Sequence, residues 1–118
     1  MILADTSVWV EFLRHGERRL ERLLARGGVL IHPMVIGELV LGGLPRNGQV
    51  RSLLERLPRA VESTHAELVR FVYDNDVVGT GVGYVDAHLL AAAALTSGAG
   101  LWTKDAKLAT LAGRLGLA

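Results

Sequence analysis

Short apolar runs alternate with amphipathic stretches along the whole chain. Ile2-Leu3-Ala4 runs into the polar trio Asp5-Thr6-Ser7, which predicts a buried strand passing into a helix over about 7–13, capped by one of the three and stopped near Gly16. From Glu17 to Arg26, Leu20, Leu23 and Leu24 share one helical face while Arg18, Arg19, Arg22 and Arg26 occupy the others. Gly27-Gly28 breaks that helix, and Val29-Leu30-Ile31 reads as a second buried strand. Pro33 suits a first helical turn, so a helix is expected over 33–41, ending at Gly42-Gly43.

A further amphipathic helix is expected over 49–57, stopped by Pro58, and then a short third strand over 60–62. Thr64 followed by Glu67 has the spacing of a capping box and opens a helix to about Asp76, with Leu68, Phe71 and Val72 facing inward. The glycine-rich stretch 79–83 is a loop feeding a helix over 84–96, whose four successive alanines at 91–94 imply close packing on several sides. Leu101-Trp102-Thr103 predicts a fourth strand and residues 105–115 a last helix, with chain left for only a stub of strand. This alternation is that of a parallel sheet with helices on both faces.

In such a sheet, sites form where the carboxyl ends of strands turn into helices. Asp5 follows the first expected strand and Asp105 the fourth, so both belong to one edge. Glu38 is the only charged residue between Arg26 and Arg46, inside an otherwise apolar helix, and Asp86 is the only charge from Val77 through Thr103. An isolated carboxylate in apolar surroundings costs several kcal/mol unless a cation, a donor or solvent reaches it. Each acid also has a plain reading: Asp5 and Asp105 as helix caps, Asp86 as a first-turn acid facing the helix dipole, Glu38 as an acid snorkelling to water. Taken as four, they point to one place, because converging carboxylates repel each other unless a cation lies among them. A set of oxygens without thiolate or clustered imidazole suits Mg²⁺ or Mn²⁺.

Ser7 and Thr103 can each offer a hydroxyl to orient a carboxylate or can act as helix caps. His15, His32, His65 and His88 lack metal-motif spacing, and His88 lies about 200° around its helix from Asp86 at ~100° per residue. The stretch 79–83 follows a helix and lacks the Gly-Lys-Ser/Thr ending of a phosphate-binding loop. Lys104 reads as a solvated loop residue. The arginines at 14, 18, 19, 22 and 26 could meet nucleic-acid phosphates, but interleaved Glu17 and Glu21 favour a solvated face.

Composition narrows the setting. With 118 residues, half of them hydrophobic, one domain over 1–118 is expected, large enough to fold without a staple. No cysteine is present, which excludes disulfides, thiolate zinc sites and thiol nucleophiles and suits the reducing cytoplasm. Mean hydropathy is high at +0.32, yet the longest apolar run, Leu89 to Leu95, falls far short of the ~20 residues of a membrane span. Asp5 interrupts the N-terminus at once, so no secretory signal is expected. The formal charge of +1 hides a segregation: residues 1–59 carry a net +3 and residues 60–118 a net −2.

Four blocks in order, Ile2-Leu3-Ala4-Asp5-Thr6-Ser7-Val8-Trp9, Val35 to Gly42 around Glu38, Gly83 to Ala91 around Asp86, and Leu101-Trp102-Thr103-Lys104-Asp105, resemble the acidic blocks of the PIN-domain family. Within it they are most similar to the VapC toxins of bacterial VapBC toxin–antitoxin pairs. The resemblance runs from end to end, with no distinctive signature over 44–82. It implies a three-layer α/β/α sandwich around a parallel sheet of four or five strands. It also implies a Mg²⁺- or Mn²⁺-dependent endoribonuclease acting on tRNA, rRNA or mRNA. Carried over, Asp5 and Asp86 are the principal metal ligands, Asp105 a further ligand directly or through water, and Glu38 a water-positioning acid. A homodimer and a VapB-like antitoxin lying along the active-site groove are implied too.

Three other readings start from the same residues. A haloacid-dehalogenase-type phosphatase wants a second acid two residues after the first, where Ser7 stands. A receiver domain wants an acid pair after strand one and a phospho-acceptor Asp after a central strand, where His32-Pro33 follows Ile31. A catalytically inactive PIN module that binds RNA or protein shares every motif.

Overall fold

The computed structural model describes residues 1–44 and 48–118. Its centre is a parallel sheet. Strand β1 (Ile2–Ala4) lies between β2 (Val29–Leu30) and β3 (Gly100–Trp102), with Leu3 opposite Leu30 on one side and Leu101 on the other. Leu3 and Ala4 are wholly buried, as a central strand covered on both faces requires.

The sheet has three strands among the described residues, against the four or five expected, and each edge carries one further short pairing. Successive residues of a strand turn their backbone groups to opposite edges, so Ile31 turns away from β1 and bridges to Arg59 in parallel. Its N–H donates to the Pro58 carbonyl, and Ala60 N–H donates back to Ile31. The pairing goes no further because Pro58 has no N–H and the Val61 N–H is taken by the Thr96 hydroxyl at 2.9 Å. On the far edge the Leu101 N–H donates to the Leu117 carbonyl at 2.7 Å, a single bond where a stub of strand was expected.

Helices α1 (Thr6–His15), α2 (Arg18–Ala25), α3 (Pro33–Leu41) and α4 (Gln49–Glu55) fill the first half. In the second half stand α5 (His65–Asp74), α6 (Tyr84–Leu95) and α7 (Ala106–Arg114). Helix α1 packs on α3 and α3 on α4; α5 and α7 both pack on α6, and α6 and α7 lie against β3. The Thr64–Glu67 capping box forms with both of its hydrogen bonds. In α6 every residue from Ala87 to Ala93 is buried, which explains the alanine tract: larger side chains would hold the neighbouring helices and the sheet apart. Among the described residues no helix is long and apolar enough to cross a membrane.

Because β1 and β3 are parallel neighbours, their carboxyl ends open at the same edge. The turns into α1 and α7 therefore meet there, and the first turn of α6 and the middle of α3 border the same space.

Candidate active site

Asp5 is the fixed point of this edge. It is the N-cap of α1, 3% exposed, and its backbone N–H is held by the Trp102 carbonyl at 2.9 Å. Its Oδ1 accepts from the Ser7 hydroxyl at 2.5 Å and from the Val8 N–H at 3.2 Å, while Oδ2 accepts from the Thr103 hydroxyl. Three donors fix the orientation of this buried carboxylate. The two hydroxyls are tied in turn: Ser7 Oγ accepts from Lys104 N–H and Thr103 Oγ1 from Asp105 N–H, each at 3.0 Å. Ser7 and Thr103 thus lock the β1–α1 turn to the β3–α7 turn.

Asp105 caps α7, its Oδ1 accepting from Leu108 N–H at 2.9 Å, and its side chain is exposed. Glu38, half-buried on α3, accepts from the Thr6 hydroxyl at 2.5 Å. Thr6 was not singled out from the sequence; its signal was its place beside Asp5, which turns its hydroxyl toward α3. Asp86 sits half-buried in the first turn of α6. Burial pushes its carboxyl above the ordinary aspartate range, and the negative charges of Asp5, Glu38 and Asp105 push it further.

Thr103 thus joins Asp5 to the Asp105 turn and Thr6 joins α1 to Glu38, with Asp86 within electrostatic reach of the other three acids, and the cap readings of Asp5 and Asp105 hold alongside this. No ion pair among the described residues involves any of the four; the pairs present are Arg51–Glu55, Arg59–Glu62 and Lys104–Glu17. Nor do three acidic or imidazole side chains among the described residues gather closely enough to hold an ion between them. Mg²⁺ does not require that, since it keeps several waters and is commonly bound through one or two carboxylates. An all-oxygen set with one strained acid and no cationic side chain paired to it fits a hard divalent cation.

Beside Glu38 lies a cleft of about 340 Å³, mainly apolar, lined by Val10, Leu13, Arg14, Leu39 and Val50 among others. Leu41, the last residue of α3, is 90% exposed.

None of the histidines is hydrogen-bonded to the acids among the described residues. His32 caps α3, its Nδ1 accepting from Met34 N–H at 3.1 Å, and its ring lies 6.2 Å from that of His88. Both are buried, and His32 Nε2 and the two ring nitrogens of His88 have no hydrogen-bond partner among the described residues. Burial pushes the His32 imidazole below the ordinary histidine range, joined by His88 and Arg59 and opposed by Glu62. A histidine lowered on folding takes up its proton more readily when unfolded, so stability is lost as pH falls below about 6.5 toward the folded value. His32→Asn keeps a cap acceptor without a titrating group. Thermal melts of this variant from pH 7.5 to 5 are expected to decline less than those of the wild type; parallel declines would remove His32 as a source of acid sensitivity.

Comparison with known proteins gives the following. The family model described as PIN domain matches residues 2–114. Ribonuclease VapC32 of Mycobacterium tuberculosis (strain CDC 1551 / Oshkosh) is 43% identical over 118 residues, covering 100% of this chain and 95% of the relative. The protein of the same name from a second strain, ATCC 25618, matches with the same identity and coverage.

Proposed function

Because the chain belongs to the PIN-domain family, among its VapC-type toxins, we propose that it is a divalent-metal-dependent endoribonuclease, a single PIN domain acting as a cytoplasmic toxin. What supports this reading is the placement of the acids about one sheet edge: Thr103 joins Asp5 to the Asp105 turn, Thr6 joins α1 to Glu38, and Asp86 stands in the first turn of α6. Asp5 and Asp86 hold the Mg²⁺ or Mn²⁺, with Asp105 as a further ligand directly or through water. The bound ion supplies an activated water and charge stabilisation at the phosphodiester. Glu38, steadied by Thr6, orients the attacking water and accepts hydrogen bonds from it. Ser7 and Thr103 hold the Asp5 carboxylate in one orientation, as groups behind a metal ligand do.

The substrate class is RNA: tRNA, rRNA or mRNA. The cleft beside Glu38 suits the apolar side chains of a VapB-like antitoxin segment whose basic residue reaches the acids. The family resemblance further supports a homodimer, which light scattering of the purified protein tests.

The decisive experiment incubates the purified protein with total tRNA, rRNA and an mRNA transcript in Mg²⁺, Mn²⁺ or EDTA. Discrete products in the two metals and none in EDTA are expected. Cleavage that survives EDTA overturns the metal requirement. No cleavage of any RNA together with metal-independent RNA binding favours the inactive PIN module, a reading supported by the absence of three gathered ligands among the described residues.

Thr103→Val removes one donor to Asp5 and leaves all four charges in place. It is expected to weaken metal affinity or activity about tenfold, the low end of the range for groups behind a metal ligand. Unchanged Mg²⁺ titration curves would deny Thr103 its orienting role.

A further inference from the structure

The arginines of α2 are unused by the carboxylate site. Arg18, Arg19, Arg22 and Arg26 are exposed, and none forms an ion pair or a side-chain hydrogen bond among the described residues. Glu21, three residues after Arg18, forms no ion pair among the described residues, and Glu17 accepts from the Arg19 backbone N–H at 3.3 Å and pairs with Lys104 at 3.6 Å. That pair ties the start of α2 to the β3–α7 turn, beside the acids.

One of these arginines is braced. The Arg19 guanidinium carbon stands 4.4 Å from the centroid of the Trp102 ring. Trp102 is half-buried at the end of β3, its carbonyl holds the Asp5 N–H, and the next residue, Thr103, donates to the Asp5 carboxylate. A guanidinium lying on a ring keeps its edge N–H groups free and already oriented for two parallel bonds to a phosphate. Arg19, Arg22 and Arg26 follow i, i+3, i+7 and so continue one stripe away from that corner.

We propose that this stripe, anchored by Arg19 on Trp102, is the surface along which the RNA backbone lies as it enters the site. Arg19 is a positioning residue: it holds a phosphate flanking the one that is cut and offsets the repulsion between RNA and four carboxylates. This rests on the ribonuclease reading and adds to it the face by which substrate arrives.

The test uses the full chain and a fluorescein-labelled, mixed-sequence single-stranded RNA 20-mer. Binding is followed by anisotropy in EDTA against NaCl concentration, and cleavage of an RNA the wild type cuts is followed in Mg²⁺. Arg19→Ala is expected to weaken binding about tenfold and to reduce the log–log salt slope by about 0.7, the signature of one lost phosphate contact on a single strand. In cleavage it is expected to raise KM with kcat within about twofold, as loss of uniform binding does. Trp102→Leu keeps the charge and removes the brace, so affinity falls while the salt slope stays. Arg19→Lys restores the slope and part of the affinity. Arg114→Ala, whose guanidinium instead holds the Asn75 and Asp76 carbonyls, is expected to bind as the wild type does.

If the wild type cuts RNA and Arg19→Ala matches it in affinity, slope and KM, the inference fails and the ribonuclease reading stands. If the wild type neither binds nor cuts RNA, both fail. If Arg19→Ala spares RNA but loses binding of a polyglutamate peptide, the stripe serves an acidic protein segment and the inference is overturned.

Discussion

Asp5→Asn is expected to abolish metal-dependent RNA cleavage, by at least about 10³-fold, while the protein still folds. Asparagine is isosteric, and its carbonyl oxygen can keep the bonds from Ser7 and from the Val8 N–H that cap α1. On the other side an amide N–H₂ replaces Oδ2, and the Thr103 hydroxyl rotates from donating to accepting, as a hydroxyl can. The hydrogen-bond frame therefore survives and the negative charge does not. Circular dichroism and a melting curve establish the fold; initial cleavage rates in Mg²⁺ and Mn²⁺ establish the loss. Near-wild-type rates in the variant would remove Asp5 from the chemistry, and a rate restored in full by raising Mg²⁺ would reduce its role to metal affinity.

Much of this frame was legible in the sequence because it rests on local rules. Pro33 at a helix start, the Thr64–Glu67 box and the apolar run before Asp5 each act within a few residues of chain. Strand ends followed by acids placed Asp5 and Asp105 at one edge, since a parallel sheet allows little else. The contacts that cross the fold were not legible in the same way. That Thr6 rather than Ser7 meets Glu38 depends on how α1 packs against α3, and that Val61 bonds Thr96 rather than a neighbouring strand depends on where α6 ends. Interleaved Glu17 and Glu21 favoured a solvated face for the α2 arginines. Glu17 reaches Lys104, a residue far away in the chain, and neither it nor Glu21 pairs with those arginines among the described residues. The acids illustrate the same division: each one's cap or helix position follows from its neighbours, whereas their mutual repulsion exists only in the assembled fold.

That repulsion has a measurable consequence at Asp86. Its folded carboxyl titrates above the ordinary value, so the native protein holds a proton at pH values where the unfolded chain, near pH 3.9, has released it. Across that window stability falls as pH rises, and above the folded value the full penalty of a fourth negative charge is present. Asp86→Asn has no proton to lose. In EDTA at pH 7.5 the variant is expected to melt about 2–5 °C above the wild type, and the difference should close as the pH falls to about 4. The acid sensitivity of His32 has the opposite sign but is common to both proteins and cancels in the comparison. Added Mg²⁺ or Mn²⁺ should reverse the order, because an ion that binds only the native wild type stabilises it by mass action and the variant has lost a ligand. Cleavage by the variant should be lost in the same preparations. A variant that melts below the wild type in EDTA at neutral pH would mean that the four carboxylates do not strain the fold, and the convergence on which the metal site depends would have to be given up.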